Sequence, residues 1–95
     1  MTFTWDATKA EENLKKHGVD VREAATVFDD PLSTTFSDAD HSTAERRFLI
    51  IGLSAGDRIL VVSHTESGDT IRIISARAAT RAERRFYEED ESNLR

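Results

Sequence analysis

The sequence predicts an α+β fold in which an antiparallel β-meander sheet is packed by two N-terminal helices and one C-terminal helix. Two helical stretches open the chain, four β-rich runs follow, and a third helical stretch comes last. Two of the β-rich runs are apolar on both faces, which is typical of central strands covered by helices. The 95 residues have the length of a single domain, which we expect to span 1–95 with residues 88–95 as a frayed tail.

The first helix is predicted to begin after Asp6 and to end at Gly18. Asp6 is a good N-cap, and Trp5 and Ala10 have the spacing of a hydrophobic staple. Gly18 favours a stop because glycine adopts the left-handed conformation without a Cβ clash. Apolar spacing runs through this helix at Ala7, Ala10 and Leu14. His17 continues it in the last turn, where we expect it to favour the helix dipole rather than to act in catalysis.

A second helix is predicted to follow at once. Asp20 and Glu23 resemble a capping box. An apolar stripe recurs at i, i+3, i+4 and i+7, at Val21, Ala24, Ala25 and Phe28. Pro31, the only proline, ends this region because the residue before it is pushed out of helical geometry. The pair Asp29 and Asp30 indicates either charged residues at a helix end or part of a metal site, and we favour the first interpretation.

The middle of the chain is predicted to form the sheet. Residues 3–5 are compatible with a short first strand. After Pro31 the period changes to two, which predicts strands at residues 32–36, 46–53, 58–65 and 70–77. Residues 54–57 and 66–69 have the composition of tight hairpin turns.

The last helix has a clear predicted start, because Thr80 and Glu83 form a T-x-x-E capping box. Ala82 and Phe86 lie four residues apart, with Tyr87 beside them, which is the spacing of an apolar helix face. Beyond Tyr87 the chain is mostly acidic, and we expect the helix to lose order there.

Composition excludes several classes of protein. The absence of cysteine excludes disulfides and thiolate metal sites. No apolar run approaches the roughly 18 residues that a membrane span needs, and the first residues lack the regions of a signal peptide. The sequence therefore predicts a cytosolic protein that does not interact with membranes.

Charge is distributed unevenly along the chain. The formal net charge of −5 argues against a simple electrostatic binder of nucleic acid. Nevertheless, five arginines and a single acid lie between Arg72 and Arg85, while acids gather between residues 29 and 40 and again from residue 88 to 91. This pattern fits two interpretations, solvated helix faces or a local anion-binding patch on an acidic molecule.

A series of short motifs runs from Phe3 to Tyr87. Its members are the W-D-x-x-K-x-x-x-N-x-x-K-H-G pattern of residues 5–18, Phe28–Pro31, Glu45–Arg47 with the run ending at Gly52, the I-R-I-I-S-A-R run of residues 71–77, and then Ala79, Glu83, Arg84 and Tyr87. Together they resemble the BrnT family of small bacterial toxins. The K-H-G helix end and the I-R-I-I-S-A-R run, at this separation, are the most specific parts of the resemblance.

The resemblance implies a ribonuclease toxin of a type II toxin–antitoxin system. It implies a fold similar to that of RelE-type ribonucleases, with RNA cleaved on the sheet side and no cofactor. The implied partner is a BrnA-like antitoxin with a ribbon-helix-helix motif. Promoter DNA is then bound only through the complex with that antitoxin.

Arginine and acid–base residues are the candidates for this chemistry. Metal-independent RNA cleavage uses the 2′-hydroxyl as nucleophile, and fixed cations stabilise the extra charge on the phosphate. Arg72 and Arg77 are the leading candidates, because guanidinium binds phosphate bidentately and stays charged. Arg72 interrupts an apolar strand, so it must face an open surface or pair with an acid. For Arg77 the alternative is an ordinary surface arginine.

Two further residues are candidate acid–base groups. His64 is the best-placed histidine, since its ordinary pKa lies near neutrality. A three-residue turn after it would put it on the same face as Arg72, and a four-residue loop on the opposite face. A histidine without a role at a strand end fits equally well. Glu45 is either a base or the partner of a neighbouring arginine.

The remaining basic residues are candidates for RNA binding: Lys9, Lys16, Arg46, Arg47, Arg81 and Arg84. Lys9, Asn13 and Lys16 share one face of the first helix. This face has three interpretations: contact with RNA phosphates, contact with the antitoxin, or exposure to solvent without a binding role. Trp5 is expected to anchor the first helix rather than to stack on a base. The sequence has no dense metal-ligand spacing, so no metal site is predicted.

Two other functions remain open at this point. A non-catalytic module of the same fold would bind RNA or a protein without cleaving RNA. A structural adaptor would use its arginines to dock an acidic partner, and its expression without a partner would not impair growth.

Overall fold

The computed structural model describes residues 1–38 and 46–93, and its elements follow the predicted order. They are β1 (Thr2–Thr4), α1 (Ala7–His17), α2 (Val21–Thr26), a single 3₁₀ turn (Val27–Asp29), β2 (Thr34–Ser37), β3 (Arg47–Leu53), β4 (Ile59–Ser67), β5 (Thr70–Ala78) and α3 (Arg81–Asn93). Helix α3 continues to Asn93. The expected fraying of residues 88–95 is not tested and stays a prediction. Among the described helices, none is long and apolar enough to cross a membrane.

The five strands form one mixed sheet in the order β1-β5-β4-β3-β2. Strands β2 to β5 are the predicted antiparallel meander. The prediction of a purely antiparallel sheet is wrong, because β1 pairs with β5 in parallel, from Thr2 opposite Thr70 to Thr4 opposite Arg72. Strand direction depends on the path of the whole chain between β1 and β5, which local periodicity does not report. Likeness to RelE-type ribonucleases stays a prediction.

Helices cover both faces of the sheet and divide the core in two. On one face, α1 and α2 enclose a cluster that includes Val19, Val27, Leu60, Val62 and Ile73. On the other face, a smaller cluster of Ile51, Val61, Ala79 and Tyr87 lies under α3. Because α3 covers only part of its face, the rest of that face is left for a functional surface.

Helix α1 has the predicted caps but a different buried face. The Asp6 carboxylate accepts the backbone N–H of Lys9 at 2.9 Å, and Gly18 ends the helix with φ of 69°. Leu14, predicted on the apolar stripe, is 47% exposed, and Asn13 is buried instead.

The Asn13 carboxamide takes the place of a missing strand. Strand β1 ends opposite Arg72, so it does not extend along the rest of the β5 edge. There Asn13 Nδ2 donates to the carbonyl of Ala76 at 2.9 Å, and the N–H of Ala76 donates to Asn13 Oδ1 at 3.0 Å. Asn13 also donates to the carbonyl of Val19 at 3.0 Å. A polar side chain therefore fastens α1 to the sheet edge.

Asp30 fastens α3 to the opposite side of the sheet. Its carboxylate accepts the backbone N–H groups of Leu32 at 3.0 Å and Leu53 at 2.8 Å, and the hydroxyl of Tyr87 at 2.6 Å. Burial acts to raise the pKa of Asp30, but these hydrogen bonds hold it below its ordinary value. Gly52 lies close beneath, where an added Cβ would come within 2.9 Å of two side-chain carbons. These contacts favour a structural interpretation of the Asp29–Asp30 pair.

Candidate functional site

The predicted phosphate-binding arginines lie on the sheet face that α3 covers in part. Arg47, Thr65 and Arg72 are direct cross-strand neighbours on β3, β4 and β5. Residues paired across strands share a face of the sheet. Thr65 is four residues from Val61 on β4, so it lies on the same face as Val61, which packs in the cluster under α3. The Arg72 side chain is exposed and Arg47 is half-buried. The register thus places two guanidinium groups on one side of the sheet.

Two further cross-strand rows separate Arg72 from α3. The first row is formed by Leu49, Ser63 and Ser75, and the second by Ile51, Val61 and Arg77. The rows together define what we call the arginine face: Arg47, Arg72, Arg77, Ser63 and Ser75. It combines three cations with two hydroxyls, groups that hydrogen-bond phosphate oxygens.

Arg77 is held by a carboxylate at the start of α3. Its two terminal nitrogens donate to Glu83 Oε1 at 2.7 Å and Oε2 at 3.0 Å. Glu83 also closes the predicted capping box, accepting the N–H of Thr80 at 2.8 Å while the Thr80 hydroxyl accepts the N–H of Glu83 at 3.2 Å. The hydrogen bonds from Arg77 lower the pKa of Glu83 to about 2. The pair fixes the guanidinium of Arg77 and offsets part of its charge.

His64 lies on the opposite face of the sheet from Arg72, which is one of the two arrangements that the sequence left open. The hairpin turns through only Gly68 and Asp69, which sets His64 opposite Ile73 and Thr65 opposite Arg72. The register then shifts between Ser63 and His64, a β-bulge that the sequence did not reveal.

The His64 ring is buried among aromatic side chains. It is 0% exposed, packs edge-on to Phe28 at 4.8 Å between ring centroids, and stacks on Phe48 at 5.7 Å. Its Nε2 lies 2.9 Å from the Glu66 carboxylate, and Nδ1 has no hydrogen-bond partner among the described residues. A role in acid–base chemistry stays a prediction, which this burial does not favour.

The other predicted residues are spread around the molecule. Lys9 and Lys16 flank a shallow hollow of about 250 Å³ along the open edge of β5, with Ile74 and Ser75 on its far wall. His17 is exposed in the last turn of α1, as the structural interpretation requires.

The guanidinium of Arg46 lies 5.4 Å from the ring centroid of Phe48, which shares the face of His64 rather than the arginine face. Arg81 and Arg84 are exposed in the first turns of α3. Glu45 lies outside the described residues, and its role stays a prediction. Trp5 is 37% exposed beside α1, with the guanidinium of Arg22 6.0 Å from its ring centroid.

Sequence reasoning missed an apolar hollow beside the arginine face. It has a volume of about 180 Å³ and is lined by Phe36, Leu49, Ile51, Val61, Glu83 and Phe86. Phe36 and Phe86 are each 43% exposed, with ring centroids 5.5 Å apart. The spacing of Phe86 in α3 predicted a core residue, but its neighbour Tyr87 is the one buried. The period-two pattern of residues 32–36 was the sequence signal that could have placed Phe36 on one face of β2, but it did not indicate which face is open.

The described residues contain no group of three or more histidine, aspartate or glutamate side chains arranged to hold a metal ion.

A known family and a solved structure are similar to this chain. Residues 5–83 match the family described as the ribonuclease toxin BrnT of type II toxin–antitoxin systems. The 1.1 Å crystal structure of the Brucella abortus ribonuclease toxin BrnT is similar to this chain with a TM-score of 0.65 and 26% sequence identity, covering 85% of this chain and 99% of the Brucella chain. No curated protein matches the sequence. The match over most of its length shows that the chain belongs to the BrnT family of ribonuclease toxins.

Proposed function

We propose that this toxin is an endoribonuclease that cleaves RNA on the arginine face by attack of a 2′-hydroxyl on the adjacent phosphate. The observation that carries the proposal is the cross-strand row in which Arg47 and Arg72 flank Thr65 on one side of the sheet. Neighbouring strands are spaced by roughly 4.8 Å, so the two Cα atoms are separated by about 10 Å. Long guanidinium side chains span that distance to a shared phosphate.

The proposed step forms one bond and breaks another at phosphorus. The ribose 2′-oxygen attacks the adjacent phosphorus, its proton passes to a base, and the bond to the 5′-oxygen breaks. The 5′-oxygen takes up a proton, which leaves a 2′,3′-cyclic phosphate and a 5′-hydroxyl. Arg72 stabilises the charge that accumulates on the phosphate oxygens. Arg77, held by Glu83 two cross-strand rows away, adds positive charge beside α3 for an adjoining phosphate. Glu45 is the proposed base because it precedes Arg46 and Arg47 at the start of β3.

Basic residues outside the centre extend the proposed RNA path. Lys9 and Lys16 lie along the β5 edge, beside the shallow hollow described above. Ser75 lines that hollow and also belongs to the arginine face. Arg81 and Arg84 extend the charge along α3. Because the body of the protein is acidic, we expect binding to depend on this local patch and to weaken steeply with added salt. A flat salt response would contradict it.

We also propose that the chain acts without a metal ion and is neutralised by a BrnA-like ribbon-helix-helix antitoxin. The arginine face supplies the fixed positive charge that a metal ion supplies in other nucleases. The family implies an antitoxin partner. Binding to promoter DNA then takes place through the antitoxin in the complex, in the cytoplasm where both act.

Cleavage by purified protein in excess EDTA tests this function. Parent protein is expected to produce fragments ending in 2′,3′-cyclic phosphate, and Arg72→Ala is expected to lose this activity with its fold intact. Arg22→Ala is the matched control, because its side chain is 79% exposed on α2, on the other face of the sheet. RNA binding without cleavage by the parent protein would instead support a non-catalytic module of the same fold. Cleavage that EDTA abolishes would refute metal independence.

A further inference from the structure

We propose that the apolar hollow between α3 and strands β2–β4 holds one unpaired nucleobase of the RNA, stacked on Phe86 with its edge against Phe36. The inference rests on the proposed RNA cleavage and adds to it a binding subsite for a base. Five of the six described lining residues are apolar, and Glu83 is the exception. The subsite therefore offers a face for a flat ring and little that would hold a charged group.

The exposure of the two phenylalanines indicates a binding surface. Single exposed apolar side chains are common on proteins. Here, however, two aromatic rings lie 5.5 Å apart with their planes inclined by 55°, each 43% exposed, above a floor of Leu49, Ile51 and Val61. Such concave apolar groups in a small domain mark sites of contact with a ligand or partner.

The volume of the hollow favours a single ring as its occupant. At about 180 Å³ it is smaller than the pockets that hold drug-sized ligands, which start near roughly 300 Å³. A docked protein helix needs a longer groove to hold its successive apolar side chains. One base, with a flat π-face on either side, needs no more than this space.

Continuity with the arginine face selects a nucleotide over a protein side chain. Val61 in the floor of the hollow is the direct cross-strand neighbour of Arg77, and Leu49 is that of Ser63. Glu83 lines the hollow and binds Arg77 at the same time. A nucleotide combines an apolar base with an anionic phosphate, which matches an apolar hollow that borders the Arg77 end of the arginine face.

The predicted binding is tolerant of sequence, because stacking on aromatic side chains accepts every base. A base held in the hollow also limits the path that the RNA can take across the sheet. A stacked base anchored at Phe86 places the adjoining phosphates over the rows of Arg77 and Arg72. The hollow thus sets the register of the RNA on the arginine face.

Binding of a non-cleavable probe tests the inference. The probe is a fluorescein-labelled single-stranded 2′-O-methyl RNA of mixed sequence, followed by anisotropy. Phe86→Ala is expected to raise Kd by about five- to 150-fold, the range for loss of one stacked base. Leu14→Ala is the control, because this apolar side chain is similarly exposed, at 47%, on α1 across the sheet. Phe36→Ala serves as the second variant if Phe86→Ala does not fold.

Probes with one abasic position make the test specific. The probe is cut to the shortest length that still binds, so that its register cannot shift. Moving the abasic position along this probe is expected to reveal one site where the parent protein loses as much affinity as Phe86→Ala does with the intact probe. Combining the two changes is expected to cause no further loss, because both remove the same contact. Additive losses would overturn the inference.

The outcomes separate this inference from the proposed function. If parent protein cleaves RNA and Phe86→Ala binds the probe within twofold of parent, the inference fails and the function stands. If parent neither binds nor cleaves RNA, both fail. If Phe86→Ala binds RNA like the parent but escapes inhibition by the antitoxin, the hollow is a protein-docking site and the inference is wrong.

Discussion

Replacing Glu83 by glutamine is expected to destabilise the protein in a way that depends on pH. The Arg77 guanidinium lowers the pKa of Glu83 from 4.5 to about 2. A tenfold change in proton affinity corresponds to about 1.4 kcal/mol, so the whole difference amounts to about 3 kcal/mol. The Glu83 side chain is 32% exposed, and solvent screening reduces the expected loss at pH 7 to about 1–2 kcal/mol. Glutamine keeps the capping-box geometry, which isolates the charge.

The sign of the pH dependence follows from the lowered pKa. Ionised Glu83 stabilises the folded protein fully above pH 4.5, and this contribution is lost as the pH falls toward 2. At pH 3 about two fifths of it should remain. Urea unfolding of parent and Glu83→Gln at pH 7 and pH 3 measures the two differences. Glu89→Gln is the control, since its side chain is 71% exposed and 3.9 Å from Arg85. Equal losses at both pH values, or no loss at pH 7, would show that the charge of Glu83 does not stabilise the folded protein.

Three further substitutions test the contacts that hold the site in place. Asn13→Ala leaves both backbone groups of Ala76 without their side-chain partner, and we expect urea unfolding to show a loss of about 2–4 kcal/mol. Tyr87→Phe removes the 2.6 Å hydrogen bond to the Asp30 carboxylate, and the expected loss is about 1.5–3 kcal/mol by the same assay. Gly52→Ala puts a Cβ 2.9 Å from two side-chain carbons, and calorimetry should find Tm lowered by overpacking worth about 1–3 kcal/mol.

For each of these substitutions, one result would contradict the expected loss of stability. Leu14→Ala, on the exposed side of α1, should change stability by less than about 0.5 kcal/mol. An Asn13→Ala loss no larger than that would show that water replaces the carboxamide. A Tyr87→Phe protein as stable as the parent would remove Asp30 as the anchor of α3. An unchanged Tm for Gly52→Ala would mean that the neighbouring chain shifts without cost.

Local patterns in the sequence predicted the order of elements because each element carries its own signals. The caps at Asp6, Gly18 and Thr80 and the turn at Gly68 act over a few residues, and all lie where they were predicted. The parallel pairing of β1 with β5 was missed because it joins residues almost seventy positions apart. No spacing within either strand specifies that direction.

The site was predicted less well, because the face of the sheet on which a side chain lies depends on the pairing register of its strand. The turn of two residues sets His64 and Arg72 on opposite faces, and the bulge beyond them brings Ser75 and Arg77 to the face of Arg72. In α1, spacing suggested Leu14 as the buried residue, yet the free edge of β5 selects Asn13 for its hydrogen bonds. For Arg72, a charged residue among isoleucines, the sequence allowed either an open surface or pairing with an acid, and the structure shows an exposed side chain. The assignment to a ribonuclease family came from the resemblance of motifs rather than from composition.

The most direct test of the account is the single-turnover rate of RNA cleavage by Arg72→Ala at saturating protein. We expect the rate constant to fall by about 100- to 1,000-fold, the usual cost of removing a preorganised group that stabilises the transition state, while far-UV circular dichroism shows that the variant is folded. Arg72→Lys should recover only part of the rate, since it keeps the charge but loses the bidentate geometry. An Arg72→Ala rate within threefold of the parent would contradict the claim that the arginine face holds the scissile phosphate.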